Sequence, residues 1–364
     1  MISVGTLFSG IGAFEHALQR LWVEHKILFA SDIDKYCKQT YFENYDIKEE
    51  SWYDDVYKID WKKYKWKLDI LIWWSPCQSF SMVWKRKWLT DDRWNLIFEF
   101  MRIIKESQPK MFIYENVKWI LNHDLWKTWK FIEKEFWKLW YNFSYKVLNA
   151  KDFWIPQNRE RVFVVWFRDK KIKFNFPKKI DLNVTMQDLL EDTPNPKYFL
   201  WDKGVDFVTK EKNLKKRYTQ INWDIALCQK ANQQYNRHWD FILEKEKDDV
   251  DEKYYLREKT KKYVLSTGTK NFYSKPKTDL EIARPLLNSM HKMHRAGVDN
   301  YVTHNKWRIR KLTPKECLRL MWFSDNFKMP VSDTQAYKQT GNSIVVPVLM
   351  AIIKNLDFKY LNND

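Results

Sequence analysis

The stretch Asp69-Ile70-Leu71-Ile72-Trp73-Trp74-Ser75-Pro76-Cys77-Gln78 decides the fold. Its apolar half predicts a buried strand. Ser75-Pro76 then predicts a turn, because proline fixes the backbone torsion and has no amide proton to donate. Cys77 would lie where a strand of an open α/β sheet ends, which is where such sheets bind ligands. This position favours a nucleophile, although a cysteine taken alone is more often a small buried hydrophobe.

Two later runs of sequence place charged side chains at the ends of further predicted strands. Residues 112–117, Phe-Ile-Tyr-Glu-Asn-Val, predict a second apolar strand that ends in the carboxylate of Glu115. Residues 153–165 predict a turn that leads into a strand through Arg159 and Arg161. Either arginine alone would be read as a solvated charge at a strand end. A thiol, an acid and a cation at successive strand ends together indicate a catalytic site.

These runs belong to a set of six segments in one order along the chain. The segments are Leu7 to Gly12, Pro76-Cys77-Gln78, Glu115-Asn116-Val117, Gln157 to Arg161, Arg310 to Glu316, and Gln339 to Val346. In content and order they resemble the motifs of the cytosine-C5 DNA methyltransferase family. The resemblance implies an α/β fold, with a Rossmann-like S-adenosylmethionine-dependent methyltransferase domain and a smaller inserted target-recognition domain.

The resemblance also implies a role for each reactive group. Cys77 would add as a thiolate to C6 of cytosine, which makes C5 able to attack a methyl group. Glu115 would donate to N3, and Arg161, with Arg159 close by, would hold and polarise O2. Such an enzyme must rotate its base out of the duplex. We expect residues 79–93 to form a mobile loop that closes over that base.

A cofactor site is predicted around the first strand and its turn. Gly10-Ile11-Gly12 lets the next helix begin close to a ligand, and the resemblance makes that ligand S-adenosylmethionine. Asp32 would bind the ribose, Ile33 would pack on the adenine, and Asp55 with Val56 would contact the adenine edge. The expected cofactor-binding residues are Phe8, Gly10, Ile11, Gly12, Asp32, Ile33, Asp55, Val56 and Asn342.

Length and charge agree with an enzyme that binds DNA. The chain has 364 residues, enough for a full α/β core and a second domain. It carries 64 Lys and Arg against 47 Asp and Glu, a formal net charge of +17. Such a charge favours polyanions and predicts binding to double-stranded DNA that weakens with salt. A lysine-rich composition can also reflect the base composition of the source genome.

Other residues exclude several kinds of site. The four cysteines have no paired spacing, so neither zinc ligands nor disulfides are indicated. His291 and His294 lack a third ligand nearby and predict a polar helix face instead of a metal site. The longest apolar run, residues 344–353, contains Pro347 and is too short to span a bilayer. We expect a cytoplasmic monomer.

Strand and helix patterns alternate from Met1 to about Arg168 and predict a parallel sheet with helices on its faces. We expect this catalytic domain to be discontinuous. Residues 1–178 would form the catalytic and cofactor-binding part, residues 179–306 the target-recognition domain, and residues 307–364 the return to the catalytic domain. Two other functions stay open, a transfer RNA cytosine-C5 methyltransferase and an inactive DNA-binding homologue. A dehydrogenase would not explain Cys77, Glu115 and Arg161 together. The sequence gives neither the recognised DNA site nor whether a partner restriction endonuclease exists.

One departure from the family is systematic. Glycine is expected, and tryptophan found, at Trp73, Trp74, Trp84, Trp88, Trp94, Trp119, Trp154, Trp166, Trp307 and Trp322. The chain has 21 tryptophans and 7 glycines, whereas glycine usually makes up about 7% of a protein. We hypothesise that most of these tryptophans are UGA codons that the organism reads as glycine. Ten tryptophans at glycine positions would overpack the fold at a cost of about 1–3 kcal/mol per site. The summed cost would exceed a total stability of about 5–15 kcal/mol.

Overall fold

A computed structural model describes most of the chain. The described residues are 1–74, 95–122, 127–139, 142–200, 202–215, 220–221, 239–244, 280–285, 296–300, 308–310 and 312–362. Cys77, the loop expected at residues 79–93, Cys228, His291 and His294 lie outside them. The chain divides into two compact units. The first is Met1–Leu148, Glu160–Lys178 and Leu349–Asp364, and the second is Asn149–Arg159 and Lys179–Val348.

The first unit is built on a seven-stranded sheet. Its strands are β1 Ile2–Leu7, β2 His25–Ser31, β3 Trp52–Tyr53, β4 Ile70–Trp74, β5 Met111–Val117, β6 Asn142–Asn149 and β7 Glu160–Phe167. They lie in the order β3-β2-β1-β4-β5-β7-β6. The second unit contains a smaller sheet. It comprises β8 Gln220–Ile221, β9 Trp239–Glu244, β10 Ala296–Asn300 and β11 Arg308–Arg310, with β9 paired to the other three.

Ten α-helices are found in the described part of the chain. They are α1 Ala13–Arg20, α2 Lys35–Asn44, α3 Asn95–Ser107, α4 Lys127–Trp137, α5 Asp202–Val208, α6 Glu211–Leu214, α7 Pro314–Leu320, α8 Asp333–Asn342, α9 Val346–Lys354 and α10 Phe358–Asn362. Pro347 lies in the first turn of α9, where proline is tolerated, so it does not interrupt that apolar helix. None of the described helices has the length and apolar character that a membrane crossing requires.

The α/β prediction is confirmed, but the sheet is mixed where a parallel one was expected. Strands β1 to β5 are parallel to their neighbours, whereas β7 runs antiparallel to β5. The direction of β7 follows from the short link between β6 and β7, because these two strands are neighbours in the sheet. Residues 150–159 are too few for the crossover of a dozen or more residues that parallel neighbours need. The reversed β7 brings its first residues to the edge where β5 ends.

The central strands are apolar throughout because both faces of the sheet are covered. All five residues of β4 are buried. Phe100, Ile103 and Ile104 of α3 are buried in the core on one side of the sheet, at the i, i+3, i+4 spacing of one helix face. Phe112 of β5 stacks on Trp166 of β7 with ring centroids 4.3 Å apart. This packing fixes the strand ends that carry the candidate site.

The second unit contains the late motif segments. Thr313 caps α7 through a capping box, in which its hydroxyl accepts from the Glu316 amide and the Glu316 carboxylate accepts from the Thr313 amide. The unit also includes residues 149–159, which were expected in the catalytic part. The division into two compact units does not show which residues would contact DNA. The domain limits 1–178, 179–306 and 307–364 therefore stay a prediction.

Candidate active site

The glycine loop after β1 has the open form that a ligand requires. Phe8, Gly10 and Gly12 all have positive φ, at 56°, 56° and 76°. A β-carbon on Gly10 would meet only the Phe8 carbonyl oxygen, at 4.0 Å, so space remains beside this backbone. On Gly12 it would lie 2.2 Å from a ring carbon of Tyr45. Gly12 is thus required for close packing of α2, and Gly10 leaves room for a ligand.

The acidic group after β2 is joined to this loop. One carboxylate oxygen of Asp32 accepts from the Gly10 amide at 2.9 Å, and the other accepts from the Asp34 amide at 2.9 Å. The Ser9 amide donates to the Ser31 carbonyl at 2.9 Å. Ile33 leaves 82% of its surface exposed. An acid beside an uncovered apolar side chain suits a ligand that has both hydroxyl groups and a flat apolar ring.

Asp55 and Val56 lie beyond β3. The Asp55 carboxylate accepts from the Tyr57 amide at 3.0 Å and so caps a short 3-10 turn, Val56–Lys58. The Val56 side chain is buried in the core of the first unit. Contact of this pair with an adenine edge stays a prediction.

A buried network under the glycine loop was missed by sequence reasoning. One oxygen of Glu15 accepts from the Thr6 hydroxyl at 2.7 Å and from the Tyr41 hydroxyl at 2.6 Å. The Thr6 hydroxyl also lies 2.8 Å from that of Ser9. Tyr45 donates to the Gly12 carbonyl at 2.6 Å. These bonds fix the loop from below and connect it to β1, α1 and α2.

Burial dominates the electrostatics of this network. It raises the pKa of the Glu15 carboxyl, and the hydrogen bonds from Tyr41 and Thr6 oppose that rise. Burial lowers the pKa of neighbouring His16 to about 4, with a smaller contribution from Arg20. A sequence signal existed, because Glu15 follows the apolar residues Ala13 and Phe14 in the first turn of a helix. An acid at such a buried position requires polar partners.

Glu115 and Arg161 are brought together as predicted from their motifs. In the antiparallel β5–β7 pair, Glu115 lies opposite Phe163 and Arg161 opposite Val117. Residues two apart on a strand share a face, so Glu115 and Arg161 are diagonal neighbours. Arg161 Nε lies 3.1 Å from Glu115 Oε1, and their side chains are 13% and 8% exposed. The pair is thus a mostly buried acid and cation at the end of β5.

Arg159 belongs to the second unit together with Asn342. Its Nη2 donates to the Gly341 carbonyl at 3.0 Å and to the Ser343 carbonyl at 2.7 Å. Arg159 is buried, whereas Asn342, between the two carbonyls, is exposed. Arg159 therefore holds the backbone that presents Asn342. Its expected place beside Arg161 in catalysis stays a prediction.

No metal centre is evident in the described ranges, where no three His, Cys, Asp or Glu side chains are grouped to hold an ion. Two of the four cysteines, Cys37 and Cys317, lie within those ranges, and both are buried thiols that form no disulfide.

Known proteins resemble this chain over almost its whole length. The model of one protein family, described as C-5 cytosine-specific DNA methylase, matches residues 2–357. The orphan methyltransferase M.SPRI of Bacillus phage SPR is 31% identical, over 100% of this chain and 99% of its own. The type II methyltransferase M.HhaI of Haemophilus parahaemolyticus is also 31% identical, over 96% and 92% of the two chains. A crystal structure of a Spodoptera frugiperda DNMT2 mutant shares the fold, with a TM-score of 0.63, 16% identity and coverage of 97% and 99%.

Proposed function

Because the chain belongs to the C-5 cytosine-specific DNA methylase family, we propose that it transfers the methyl group of S-adenosylmethionine to C5 of a cytosine rotated out of a specific duplex DNA site. One observation carries this proposal most directly. The Glu115–Arg161 pair lies at the end of β5, and β4, which leads into Pro76-Cys77-Gln78, is its neighbour in the sheet. A thiol, an acid and a cation are what a cytosine-C5 transfer needs.

The residues near the glycine loop fit S-adenosylmethionine. Gly10 leaves open space, Asp32 offers a carboxylate at the end of β2, and Ile33 offers an apolar surface. The cofactor supplies an electrophilic methyl group when bound. Since β1, β2, β4 and β5 are parallel, their carboxyl ends meet at one edge of the sheet. A cofactor on Asp32 and a base on Glu115 would therefore share that edge.

Cys77 is three residues beyond Trp74, the last residue of β4, and Trp74 pairs in register with Glu115. Three residues span at most about 11 Å, and we propose that the thiol acts on a base bound at this edge. Its thiolate would form a bond to C6 while N3 accepts a proton from Glu115. C5 of the resulting enamine would take the methyl group, and the demethylated cofactor, S-adenosylhomocysteine, would be the leaving group. Transfer of the C5 proton to solvent would then break the C6–S bond, release the Cys77 thiolate, return the N3 proton to Glu115 and restore the aromatic ring.

The ion pair prepares this chemistry. Arg161 orients the Glu115 carboxyl before the base arrives, and its guanidinium has further N–H groups that can donate to O2 of the pyrimidine. A buried pair costs desolvation on folding, and this cost is offset only when the geometry is good. Negative charge that develops on the ring would meet a cation already in place, so little reorganisation is needed during reaction.

The remaining expectations extend this proposal. The charge of +17 supports DNA as the polyanion, and the affinity should fall steeply with salt. Phe8, Ile11, Asp55, Val56 and Asn342 stay predicted cofactor-binding residues. We keep a monomeric cytoplasmic enzyme as a prediction.

Labelled methyl transfer tests the function and separates it from the two alternatives. We expect label from S-adenosylmethionine in duplex DNA but not in transfer RNA. Cys77→Ser should abolish transfer, whereas Cys37→Ser, at a buried thiol of α2 that the proposed mechanism does not use, should retain it. Label in transfer RNA alone would favour the transfer RNA enzyme. DNA binding without any label would indicate the inactive homologue.

A further inference from the structure

Tryptophan is over-represented where the backbone is left-handed. Six non-glycine residues in the described ranges have positive φ, and four of them are Trp22, Trp66, Trp154 and Trp322, at 56°, 62°, 66° and 65°. Because 21 of the 364 residues are tryptophan, six residues chosen at random would include fewer than one. Left-handed backbone brings the β-carbon of an L-residue too close to the following carbonyl oxygen. A bulky side chain there is therefore a true outlier.

The backbone around Trp22 forms a complete glycine motif. Helix α1 ends at Arg20, and the Trp22 amide donates to the Gln19 carbonyl at 3.0 Å. The Val23 amide donates to the Leu18 carbonyl at 3.0 Å. These two bonds define the Schellman motif, whose left-handed residue is usually glycine. Trp22 occupies that residue.

The same motif ends α7. The Trp322 amide donates to the Arg319 carbonyl at 2.8 Å, and the Phe323 amide donates to the Leu318 carbonyl at 3.0 Å. Leu318 and Phe323 are both buried, as expected of the apolar contact that accompanies this motif. Trp322 again occupies the glycine position. Two helices with unrelated sequences thus end in the same way.

The Trp22 indole gains little that would offset the strain, because almost all of it is exposed. Trp22 is 93% exposed, and Trp66 and Trp154 are 58% and 41% exposed. Trp52 is different, because it is buried in extended backbone on β3 and its indole nitrogen donates to Asp54 at 2.9 Å. Its side chain has a defined place and a partner.

We infer that the native polypeptide has glycine at positions 22, 66, 154 and 322, and a true tryptophan at position 52. This assignment rests on backbone geometry and not on motif comparison. It reaches Trp22 and Trp66, which the family motifs do not cover. At Trp154 it concerns the turn that precedes Arg159, so the glycine form would give that turn its unstrained shape. The chemical source would be UGA codons decoded as glycine.

Peptide mass spectrometry of the protein purified from its own cells is the direct test. We expect glycine masses in the peptides that cover the four positions and a tryptophan mass at Trp52. The gene should contain UGA at those four codons and UGG at codon 52. Tryptophan masses at the four positions, or a glycine mass at position 52, would overturn the assignment. Neither result depends on whether the enzyme is active.

Stability measurements on the tryptophan-containing chain give a second test. Trp22→Gly should raise the folding equilibrium constant roughly 5- to 30-fold, because glycine removes the left-handed penalty. Trp22→Ala is the matched control, since alanine loses the indole but keeps the β-carbon, and it should give little gain. Trp52→Gly should lower stability. Equal gains from glycine and alanine at position 22 would contradict the inference.

Discussion

Arg159 and Arg161 are two residues apart in the chain and have different surroundings. Arg161, in the first unit, lies beside the Glu115 carboxylate at 3.1 Å. Arg159, in the second unit, donates to the backbone carbonyls of Gly341 and Ser343. One guanidinium thus meets an opposite charge at a strand end, and the other fixes a turn. Under the proposed function, one short motif serves chemistry at Arg161 and architecture at Arg159.

The difference follows from the start of β7. Glu160 is the first residue of β7, so Arg161 lies within the β5–β7 ladder and shares a face with Glu115. Arg159 precedes the strand, and its amide donates to the Asn149 side chain at 3.0 Å. A strand orients one arginine and a turn orients the other. Variants at each position should therefore fail in different measurements.

The largest expected effect sharpens the catalytic side of the comparison. Glu115→Gln should lower the methyl-transfer rate by roughly 10²- to 10⁴-fold, because an amide cannot donate a proton to N3. Single-turnover transfer to duplex DNA measures it. Glu160→Gln is the matched control, since Glu160 forms a largely exposed pair with Lys118 and should leave the rate unchanged. An unchanged rate in Glu115→Gln would remove this residue from the mechanism.

The next effect tests the architectural side. Arg159→Ala should lower the free energy of unfolding by about 3 kcal/mol, because two charge-assisted bonds to buried carbonyls are lost. Urea denaturation measures the loss. Lys197→Ala in the same unit removes the half-exposed pair with Asp333 and a contact with the Tyr198 ring, so it should cost about 1 kcal/mol. Similar costs for both variants would contradict the proposed clamp.

A third prediction concerns how the stability of the first unit depends on pH through His16, a buried residue of α1. The native state keeps His16 neutral down to about pH 4, whereas the unfolded chain gains a proton below about pH 6.5. His16 therefore contributes stability that is complete above pH 6.5 and is lost as the pH falls from 6.5 to 4, on the order of 2 kcal/mol. Melting temperatures across this window should fall less in His16→Gln than in the parent chain. Parallel curves would refute the prediction.

The smallest effect tests the support of the glycine loop. Glu15→Ala removes the acceptor that holds Thr6 and Tyr41, and should weaken S-adenosylmethionine binding by about tenfold, as loss of one or two net hydrogen bonds implies. Glu15→Gln keeps an acceptor oxygen and should restore most of the affinity. Glu99→Ala removes another buried acid, paired with Arg102 on α3, and controls for general destabilisation. Calorimetry that shows equal affinity in all three variants would count against the role.

The sequence predicted the features that depend on local pattern. Apolar runs indicated β4 and β5, glycines indicated the loop after β1, and Asp32 was expected at a strand end. Features that depend on long-range contact were not predicted. Glu15 and Tyr41 are 26 residues apart, and Arg159 and Gly341 are 182 apart. Nothing in the local sequence specifies either contact, or the reversed direction of β7.

For the tryptophans, the structure adds local information that the sequence motifs do not contain. Motif comparison flagged Trp154 and Trp322 as glycine positions, and the backbone torsions independently single out both. Trp22 and Trp66 lie outside the motifs, so only the torsions identify them. Backbone torsions therefore identify glycine positions that the motif comparison does not cover.

Covalent trapping on 5-fluorocytosine DNA tests the central claim most directly, because fluorine cannot leave C5 as a proton does. The glycine-containing polypeptide, incubated with S-adenosylmethionine and such a duplex, should form a stable adduct on the peptide that contains Cys77. The adduct should disappear in Cys77→Ala and persist in Cys37→Ala. No adduct on the Cys77 peptide, despite methyl transfer to normal DNA, would contradict the account.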